Sequence, residues 1–220
     1  MFKCCIFDLD GTLLDTVASL AHSANRAMEK FGLPPQPVER YKYFAGDGQI
    51  ELIKRCVIAS GDTYLTNFYK VLHEYIKLFE KDCIYEVKPY DGITELTCWL
   101  KANNIKIAVL TNKQHDNALY VLNSVFGENY FDFILGQDDT HEKKPSRTGV
   151  DIILRKMNVK EDECIYIGDT NTDMKTGKNA GLFTVGVTWG FRDYEELKKG
   201  EPQAIIDSPL QLRDIINRKD

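Results

Sequence analysis

The chain has 220 residues, of which 43% are hydrophobic and 28% charged, a composition that excludes disordered and collagen-like chains and suits one globular unit with an inserted subdomain. Lys and Arg number 28 against 33 Asp and Glu, a net charge of −5 without a long basic run, so we expect neither a nucleic-acid partner nor an anionic membrane surface. No run of 18 apolar residues and no signal-peptide pattern occurs, and the six cysteines are scattered, so we expect a cytoplasmic protein without a membrane span or disulfides. We expect either a monomer or a homodimer.

Short apolar runs alternate with helical periodicity along most of the chain, which is the pattern of a parallel sheet covered by helices on both faces. Strands are predicted at residues 3–7, 105–110, 133–135, 163–167, 183–187 and 204–206. Helices are predicted at residues 92–102, 115–125, 148–157, 172–180 and 210–218. The predicted fold class is therefore α/β.

One stretch, residues 16–82, contains no strand pattern and instead carries three apolar stripes at helical spacing. The stripes are Val17, Leu20, Ala24, Ala27 and Phe31; Ile50, Ile53 and Val57; and Leu65, Phe68, Leu72, Ile76 and Phe79. Prolines 34, 35 and 37 are predicted to end the first helix. We interpret residues 16–82 as a helical insertion after the first strand, and residues 1–15 and 83–220 as the α/β body.

Two acids follow the first predicted strand, in the segment D-L-D-G-T-L-L-D that begins at Asp8. Asp8 and Asp10 project to the same side while the chain stays extended, and ligands of open α/β sheets bind beyond such strand ends. A hard cation would relieve their repulsion, and Mg²⁺ suits a site whose other ligand is a phosphate. Gly11 allows the backbone to approach an anion. The alternative is an Asp-rich turn that caps the next helix.

A second pair of acids, Asp169 and Asp173, follows another apolar run in the segment I-Y-I-G-D-T-N-T-D. Their spacing of four residues places both on one side if a helix starts there. Taken alone, this segment is equally explained as a helix N-terminal cap. Four acids at two strand ends are harder to explain as caps.

Two further segments supply groups suited to an anionic ligand. Thr111 and Asn112 directly follow the second strand of the body and offer a hydroxyl and backbone amides, while Lys144 can act as a point charge on a phosphate. A surface turn and a solvated lysine are the alternatives for these segments when each is taken alone.

The four segments in this order, D-x-D-G-T, T-N, K-P and G-D-x-x-x-D, resemble the haloacid dehalogenase-like superfamily of phosphatases. The resemblance implies a Rossmannoid three-layer core with a helical cap domain at residues 16–82, and Mg²⁺ as cofactor. It implies that Asp8 is the nucleophile and Asp10 the general acid/base, and that Thr111 and Lys144 bind the phosphate together with Gly11 and Asn112. Asp8, the carbonyl of Asp10 and Asp169 would hold the metal, with Asp173 in support.

Within that superfamily the chain is most similar to the phosphoglycolate phosphatase group, through its opening segment, the cap segment F-A-G-D-G and the tail V-T-W-G-F. The resemblance implies a small phosphorylated metabolite as substrate, hydrolysed through an aspartyl-phosphate. Gly46, Asp47 and Gly48 are candidates for specificity, with a plain glycine turn as the alternative. Arg147 stands where the family usually has a second proline after K-P, and we expect it to be solvated.

Four other activities compete with this interpretation. A dehalogenase has no need of Asp10, so the presence of Asp10 argues against that activity. Caps of β-phosphoglucomutase-like mutases resemble one another in a histidine at the position where this chain has Leu20, which argues against a mutase. A pyrophosphatase or nucleotidase of the same fold differs in cap residues that the motifs do not resolve. A non-catalytic phosphate-binding protein would be expected to have lost one of the acids or the lysine.

Overall fold

The computed structural model describes residues 1–218, which form two compact units. One unit comprises Met1–Leu14 and the chain from Pro89 onward, and the other is Asp15–Lys88. The chain passes between them through Leu14–Asp15 and Lys88–Pro89, two short strands (β2 and β3) that pair with each other. Within the described residues, no helix is both long and apolar enough to cross a bilayer.

The first unit is built on a sheet of six parallel strands. These are β1 (Cys4–Phe7), β4 (Lys106–Gln114), β5 (Phe133–Gln137), β6 (Cys164–Gly168), β7 (Phe183–Val187) and β8 (Ala204–Ile206). Their order across the sheet is β5–β4–β1–β6–β7–β8, so β1 lies between β4 and β6. Each predicted strand is present, and β4 extends beyond its predicted end.

Both faces of this sheet are buried, because consecutive residues of β1 and β6 point to opposite faces and all are inaccessible. On one face Ile6 and Tyr166 belong to an apolar cluster to which Val150 and Ile153 contribute from a helix. The predicted α/β class with helices covering both faces is confirmed.

Ten α-helices lie in the described part of the chain, four of them in the second unit. The four are α1 (Val17–Lys30), α2 (Tyr41–Phe44), α3 (Gln49–Ala59) and α4 (Phe68–Asp82). The body carries α5 (Ile93–Ala102), α6 (His115–Phe126), α7 (Thr148–Met157), α8 (Asn171–Ala180), α9 (Tyr194–Lys199) and α10 (Gln211–Asn217). Short 3₁₀ turns occur at Val38–Arg40 and Glu161–Glu163. The second unit contains no strand apart from the β2 and β3 ends.

In the helical unit, α1 and α4 pack against each other, and α1 buries its predicted stripe up to Ala27. The stripe predicted for α4 is wrong in part. The helix buries Phe68, Val71, Tyr75 and Phe79. Leu65 precedes the helix. Leu72 and Ile76 are only partly buried, because the stacked rings of Tyr75 and Phe79 lie on the inward face instead. In α3, likewise, Ile53 and Val57 are buried but Ile50 is exposed.

The end of α1 also differs from the prediction. The helix stops at Lys30, and Gly32 follows with φ 73°, in the left-handed region. The Gly32 N–H donates to Glu29 O and the Leu33 N–H to Met28 O, each at 3.0 Å. A glycine turn therefore ends the helix before the prolines are reached.

Candidate active site

The predicted functional side chains lie where three neighbouring strands end. Strand β1 pairs with β4 on one side and with β6 on the other, and Phe7 is in register with both Val109 and Ile167. Asp8, Thr111 and Asp169 follow at or just beyond these ends. Parallel strands bring their carboxyl ends to one edge of the sheet, which explains why segments more than 100 residues apart in sequence meet there.

Asp8 is anchored by its backbone, whose N–H donates to Ile167 O at 2.9 Å. Three residues later the chain turns at Gly11, which has φ 86°. A Cβ on Gly11 would lie 2.2 Å from Asp169 Oδ2, so only glycine permits this approach. The Gly11 N–H donates to Leu14 O within the turn, and a phosphate contact from Gly11 stays a prediction.

Asp169 is buried and held by two donors from elsewhere in the chain. The Thr12 hydroxyl donates to its Oδ1 and the Phe191 N–H to its Oδ2, both at 2.8 Å. Gly190 also packs against it, since a Cβ there would lie 2.5 Å from Asp169 Cβ and 2.6 Å from Asp169 Oδ2. These bonds leave each carboxylate oxygen with a further lone pair for another ligand.

Asp173 takes part in capping the N-terminus of α8, which is the alternative that the sequence left open for this segment. It also has partners outside the cap. Its Oδ2 accepts from the Thr170 N–H at 3.1 Å and from the Thr170 hydroxyl at 2.6 Å, completing a capping box at the start of α8. Its Oδ1 accepts from Lys144 Nζ at 2.7 Å and from the Tyr166 hydroxyl at 3.1 Å. With four donors on two oxygens, Asp173 is suited to supporting a site from behind.

Lys144 is a buried cation between two of the acids. Its side chain is only 2% exposed, and Nζ lies 2.8 Å from Asp8 Oδ1 and 2.7 Å from Asp173 Oδ1. Its backbone is fixed by Asn112, whose Oδ1 accepts from the Lys144 N–H and whose Nδ2 donates to the Lys144 carbonyl. Asn112 therefore positions the lysine, and its own contact with phosphate stays a prediction.

Burial dominates the electrostatics of this cluster. It raises the pKa of Asp8 from 3.8 to about 7, and Asp173 adds to the increase while Lys144 opposes it. Burial also raises the pKa of Asp169 well above its ordinary range, with contributions from Asp173 and Asp8. For Lys144 burial would lower the pKa, but the attraction of Asp173 and Asp8 holds it well above the usual value.

Thr111 and Lys113 lie two residues apart near the end of β4, where the pairing with β5 is interrupted between Leu110 and Gln114. Thr111 is buried, and its Oγ1 accepts from the Lys113 N–H at 3.2 Å. Lys113 Nζ donates to both oxygens of Asp10, at 2.8 and 3.0 Å. Asp10 and Lys113 thus form a second carboxylate–ammonium pair beside the pair of Asp8 and Lys144.

The residues fit a hard divalent cation. Carboxylate oxygens of Asp8, Asp169 and Asp173 lie within 4.8 Å of one another, and all three residues are buried. Asp8 Oδ1 has Lys144 as an ionic neighbour but accepts no hydrogen bond from the described residues. Counting Asp10, four carboxylates face two ammonium groups, a formal charge of −2. A cluster of carboxylate oxygens with a net negative charge is typical of Mg²⁺ sites.

The side chain of Asp10 is outside this group of three and pairs with Lys113 instead. The main-chain carbonyl of Asp10 as a metal ligand therefore stays a prediction.

Sequence reasoning missed several residues that build the site. Lys113, Tyr166, Thr12 and Thr170 carried no predicted role, yet each bonds to one of the four acids. For Lys113 a signal was present, because its spacing of two from Thr111 in a strand places both on one side. The other three donors are ordinary residue types whose partners appear only in the fold.

The helical unit carries the cap segment singled out in the sequence. Gly46 and Gly48 have φ 112° and 88°, and Gly48 precedes α3. Asp47 between them forms an ion pair with Arg55, which also donates to Phe44 O at 2.8 Å. The glycine turn is thus pinned to α3 by an arginine. Its role in specificity stays a prediction.

Arg147 lies on the surface, as expected. Its guanidinium pairs with Asp151 at 2.9 Å and with Glu161 at 2.6 Å, and 46% of its side chain is exposed.

The model of the haloacid dehalogenase-like hydrolase family matches residues 5–187, which include all four acids and both lysines. The chain belongs to the haloacid dehalogenase-like hydrolases. It is thus a member of a family of enzymes, and the resemblance stated from its motifs is confirmed.

Individual relatives of this hydrolase carry related names. A phosphoglycolate phosphatase of Neisseria meningitidis is 31% identical over 92% of this chain and 88% of its own length. The crystal structure of a provisionally assigned phosphoglycolate phosphatase from Lactobacillus delbrueckii is 28% identical with a TM-score of 0.91, covering 98% of both chains. A β-phosphoglucomutase from Clostridium difficile is 25% identical with a TM-score of 0.78, covering all of this chain and 97% of its own.

Proposed function

We propose that the protein is a Mg²⁺-dependent phosphatase that hydrolyses a small phosphate monoester, with phosphoglycolate as the first substrate to test. The observation that carries this proposal is the arrangement around Asp8. A buried carboxylate faces a buried ammonium group and two more acids, while a second carboxylate–ammonium pair lies two residues along the chain. The names of the relatives support phosphoglycolate among small phosphates.

The phosphate group is bound by the groups that carry positive charge or a hydroxyl at the strand ends. Lys144 neutralises part of its charge, and Thr111 offers its hydroxyl at the end of β4. Both side chains are nearly inaccessible to water, so each interaction acts in a medium of low dielectric and is stronger than on a surface.

In the first step an oxygen of Asp8 attacks phosphorus and the bond to the leaving oxygen breaks, which gives an aspartyl-phosphate. Asp10, protonated at this stage, donates its proton to the leaving oxygen and becomes a carboxylate. In the second step Asp10 accepts a proton from water while the water oxygen bonds to phosphorus and releases Asp8. When bound, Mg²⁺ supplies positive charge that favours ionised Asp8 and neutralises the phosphoryl oxygens.

Asp8 and Asp169 are the side chains that would hold the ion, and Asp173 would support the site through its contacts with Lys144 and Tyr166. Without a bound cation, burial and the charge of Asp173 outweigh Lys144 and raise the pKa of Asp8 to about 7, which would leave part of the nucleophile protonated at neutral pH. A cation in contact with the carboxylate reverses this effect, since opposite charge favours the ionised form.

The competing activities make different demands on the same chain. A mutase-like cap is disfavoured because Leu20, at the position of the mutase histidine, is 5% exposed in the apolar face of α1. A non-catalytic protein is disfavoured because all four acids and both lysines are present, and each lysine pairs with at least one of the acids. Pyrophosphatase and nucleotidase activity remain the second candidate, since they need the same strand-end groups.

The test is phosphate release with and without Mg²⁺ from phosphoglycolate, pyrophosphate, nucleoside monophosphates and sugar phosphates, with β-glucose 1-phosphate also followed for isomerisation. We expect phosphoglycolate to give the highest kcat/KM and Asp8→Asn to reduce it by at least about a thousandfold. A different preferred phosphate would overturn the substrate and keep the mechanism. Turnover by well-purified Asp8→Asn would overturn the nucleophile.

A further inference from the structure

We propose that Lys113 is a positioning residue that holds the Asp10 carboxylate in place for both proton transfers. The inference rests on the proposed phosphatase function and extends it to a residue that carries no role in the motifs. It starts from one contact: Lys113 Nζ lies 2.8 Å from one oxygen of Asp10 and 3.0 Å from the other.

This contact is built into the strand end. The Lys113 side chain is 3% exposed, so its charge has been removed from water, which is costly unless an anion replaces the solvent. Asp10 provides that anion, and its own side chain is 17% exposed. The Asp10 carboxylate thus has a buried donor, Lys113 Nζ, and limited access to solvent.

The backbone reinforces the position of the lysine. Its N–H donates to the Thr111 hydroxyl oxygen at 3.2 Å, within the interruption of the β4–β5 pairing. The segment that carries the phosphate-binding hydroxyl therefore also carries the group that orients the acid/base. A shift of one would move the other.

The two lysines have separate tasks in this arrangement. Lys144 contacts Asp8 and Asp173, whereas Lys113 contacts Asp10. A carboxylate that transfers protons must present one oxygen to the leaving group and then to water, and small misplacements of such groups are costly. A donor that spans both oxygens restricts rotation about the Cβ–Cγ bond and keeps the carboxylate plane fixed.

The experiment compares Lys113→Met and Lys113→Gln with Lys178→Met, a surface charge removal at a lysine that pairs with Glu201. With phosphoglycolate, or the best substrate found, we expect kcat to fall about 10- to 100-fold for both Lys113 variants. KM should change less than about threefold, and Lys178→Met should match the wild type. Two variants of different polarity are used so that one poorly folding protein does not decide the result.

A second readout separates positioning from general damage. Asp10→Asn and the double variant Asp10→Asn/Lys113→Met are measured together, and we expect the double variant to be within about threefold of Asp10→Asn alone. A residue that acts through Asp10 adds nothing once Asp10 is gone, whereas independent defects multiply. Losses that multiply would overturn the proposal.

A third readout uses p-nitrophenyl phosphate, whose leaving group departs without a proton. For Lys113→Met we expect a rapid first release of about one p-nitrophenolate per protein followed by slow turnover, because only the second step still needs Asp10. The proposal would be overturned if Lys113→Met slowed the first release of p-nitrophenolate as much as it slows the later turnover.

The results also separate this proposal from the proposed function. If the wild type hydrolyses no phosphate, the proposed function fails, and the role of Lys113 fails with it. If the wild type is active and Lys113→Met equals Lys178→Met, only the role of Lys113 fails.

Discussion

The charged groups at the strand ends of the body and those at the glycine turn of the helical unit are held by different kinds of partner. We call the first set the strand-end cluster; it consists of Asp8, Asp10, Lys113, Lys144, Asp169 and Asp173. In the body, Lys113 reaches an acid 103 residues away and Thr12 reaches one 157 residues away. In the helical unit, Asp47 is paired with an arginine only eight residues along the chain. The lysines at the strand ends are buried and pair with distant acids, whereas the paired side chains of the turn are each about one-third exposed.

Substitutions in the two regions are therefore expected to have different effects on stability and activity. Removing one member of a buried, shared cluster leaves the others without compensation, so both stability and chemistry should suffer. Removing a partly exposed local pair should change the shape of the turn and leave the strand ends intact.

The largest effect is expected at Lys144, because Asp8 and Asp173 both depend on it. Lys144→Met should destabilise the protein by roughly 3–5 kcal/mol and reduce kcat by at least about a thousandfold, since two buried carboxylates lose their cation. Urea unfolding and phosphate release are the measurements. Lys178→Met, with its exposed partner Glu201, should be close to the wild type in both. Comparable losses in the two variants would contradict the contrast between buried and surface pairs.

A pH-dependent effect is expected at Asp8 in protein freed of divalent cations. The unfolded chain loses this proton near pH 3.8, and the folded chain near pH 7. Between these values the unfolded state binds fewer protons, so the free energy of unfolding falls as pH rises. Asp8→Asn removes this loss and should exceed the wild type by up to about 4 kcal/mol at pH 8, with no gain near pH 4.

Thermal unfolding in EDTA from pH 4 to 8 measures this difference. Addition of Mg²⁺ should raise the Tm of the wild type more at pH 8 than at pH 5, and should raise that of Asp8→Asn less. A gap between the two proteins that does not change with pH would contradict the raised pKa of Asp8.

A smaller effect is expected in the helical unit, at the arginine that pins the glycine turn. Arg55→Gln loses the ion pair with Asp47 and weakens the bond to the Phe44 carbonyl. We expect KM to rise roughly 3- to 10-fold, because Asp47 and its two glycines are predicted to contribute to specificity. We expect kcat to stay within about twofold, because the proposed catalytic groups lie at the strand ends. Arg147→Gln, at another salt-bridged arginine, is the control. A drop in kcat alone would place Arg55 with the chemical groups instead.

The smallest effect is expected at Tyr166, whose hydroxyl is one of four donors to Asp173. Tyr166→Phe keeps the ring in the apolar cluster and removes one hydrogen bond, so stability should fall by about 1 kcal/mol and kcat by roughly threefold. Asp173 retains its bonds to Lys144 and Thr170, which limits the damage. Thermal unfolding and steady-state kinetics check both values, and a loss as large as that of Lys144→Met would mean that the hydroxyl does more than support Asp173.

The helical unit also shows where sequence patterns stop being informative. The apolar stripe of α1 is visible because small aliphatic residues recur at helical spacing, and the structure buries them. In α4 apolar side chains occur nearly all round the helix, so periodicity alone could not select the face that carries Val71 and Tyr75. Packing of the aromatic rings made that choice.

The order of strands and helices, and the placement of Asp8, Asp10 and Asp169 beyond strand ends, could be predicted from the amino-acid sequence, because hydrophobic periodicity and turn chemistry depend on neighbouring residues. Which groups pair, such as Lys113 with Asp10 and Lys144 with Asp8 and Asp173, is visible only in the folded chain. Strand β1 becomes the neighbour of β4 and β6 through pairings across more than 100 residues, and no local pattern records which strand ends will meet.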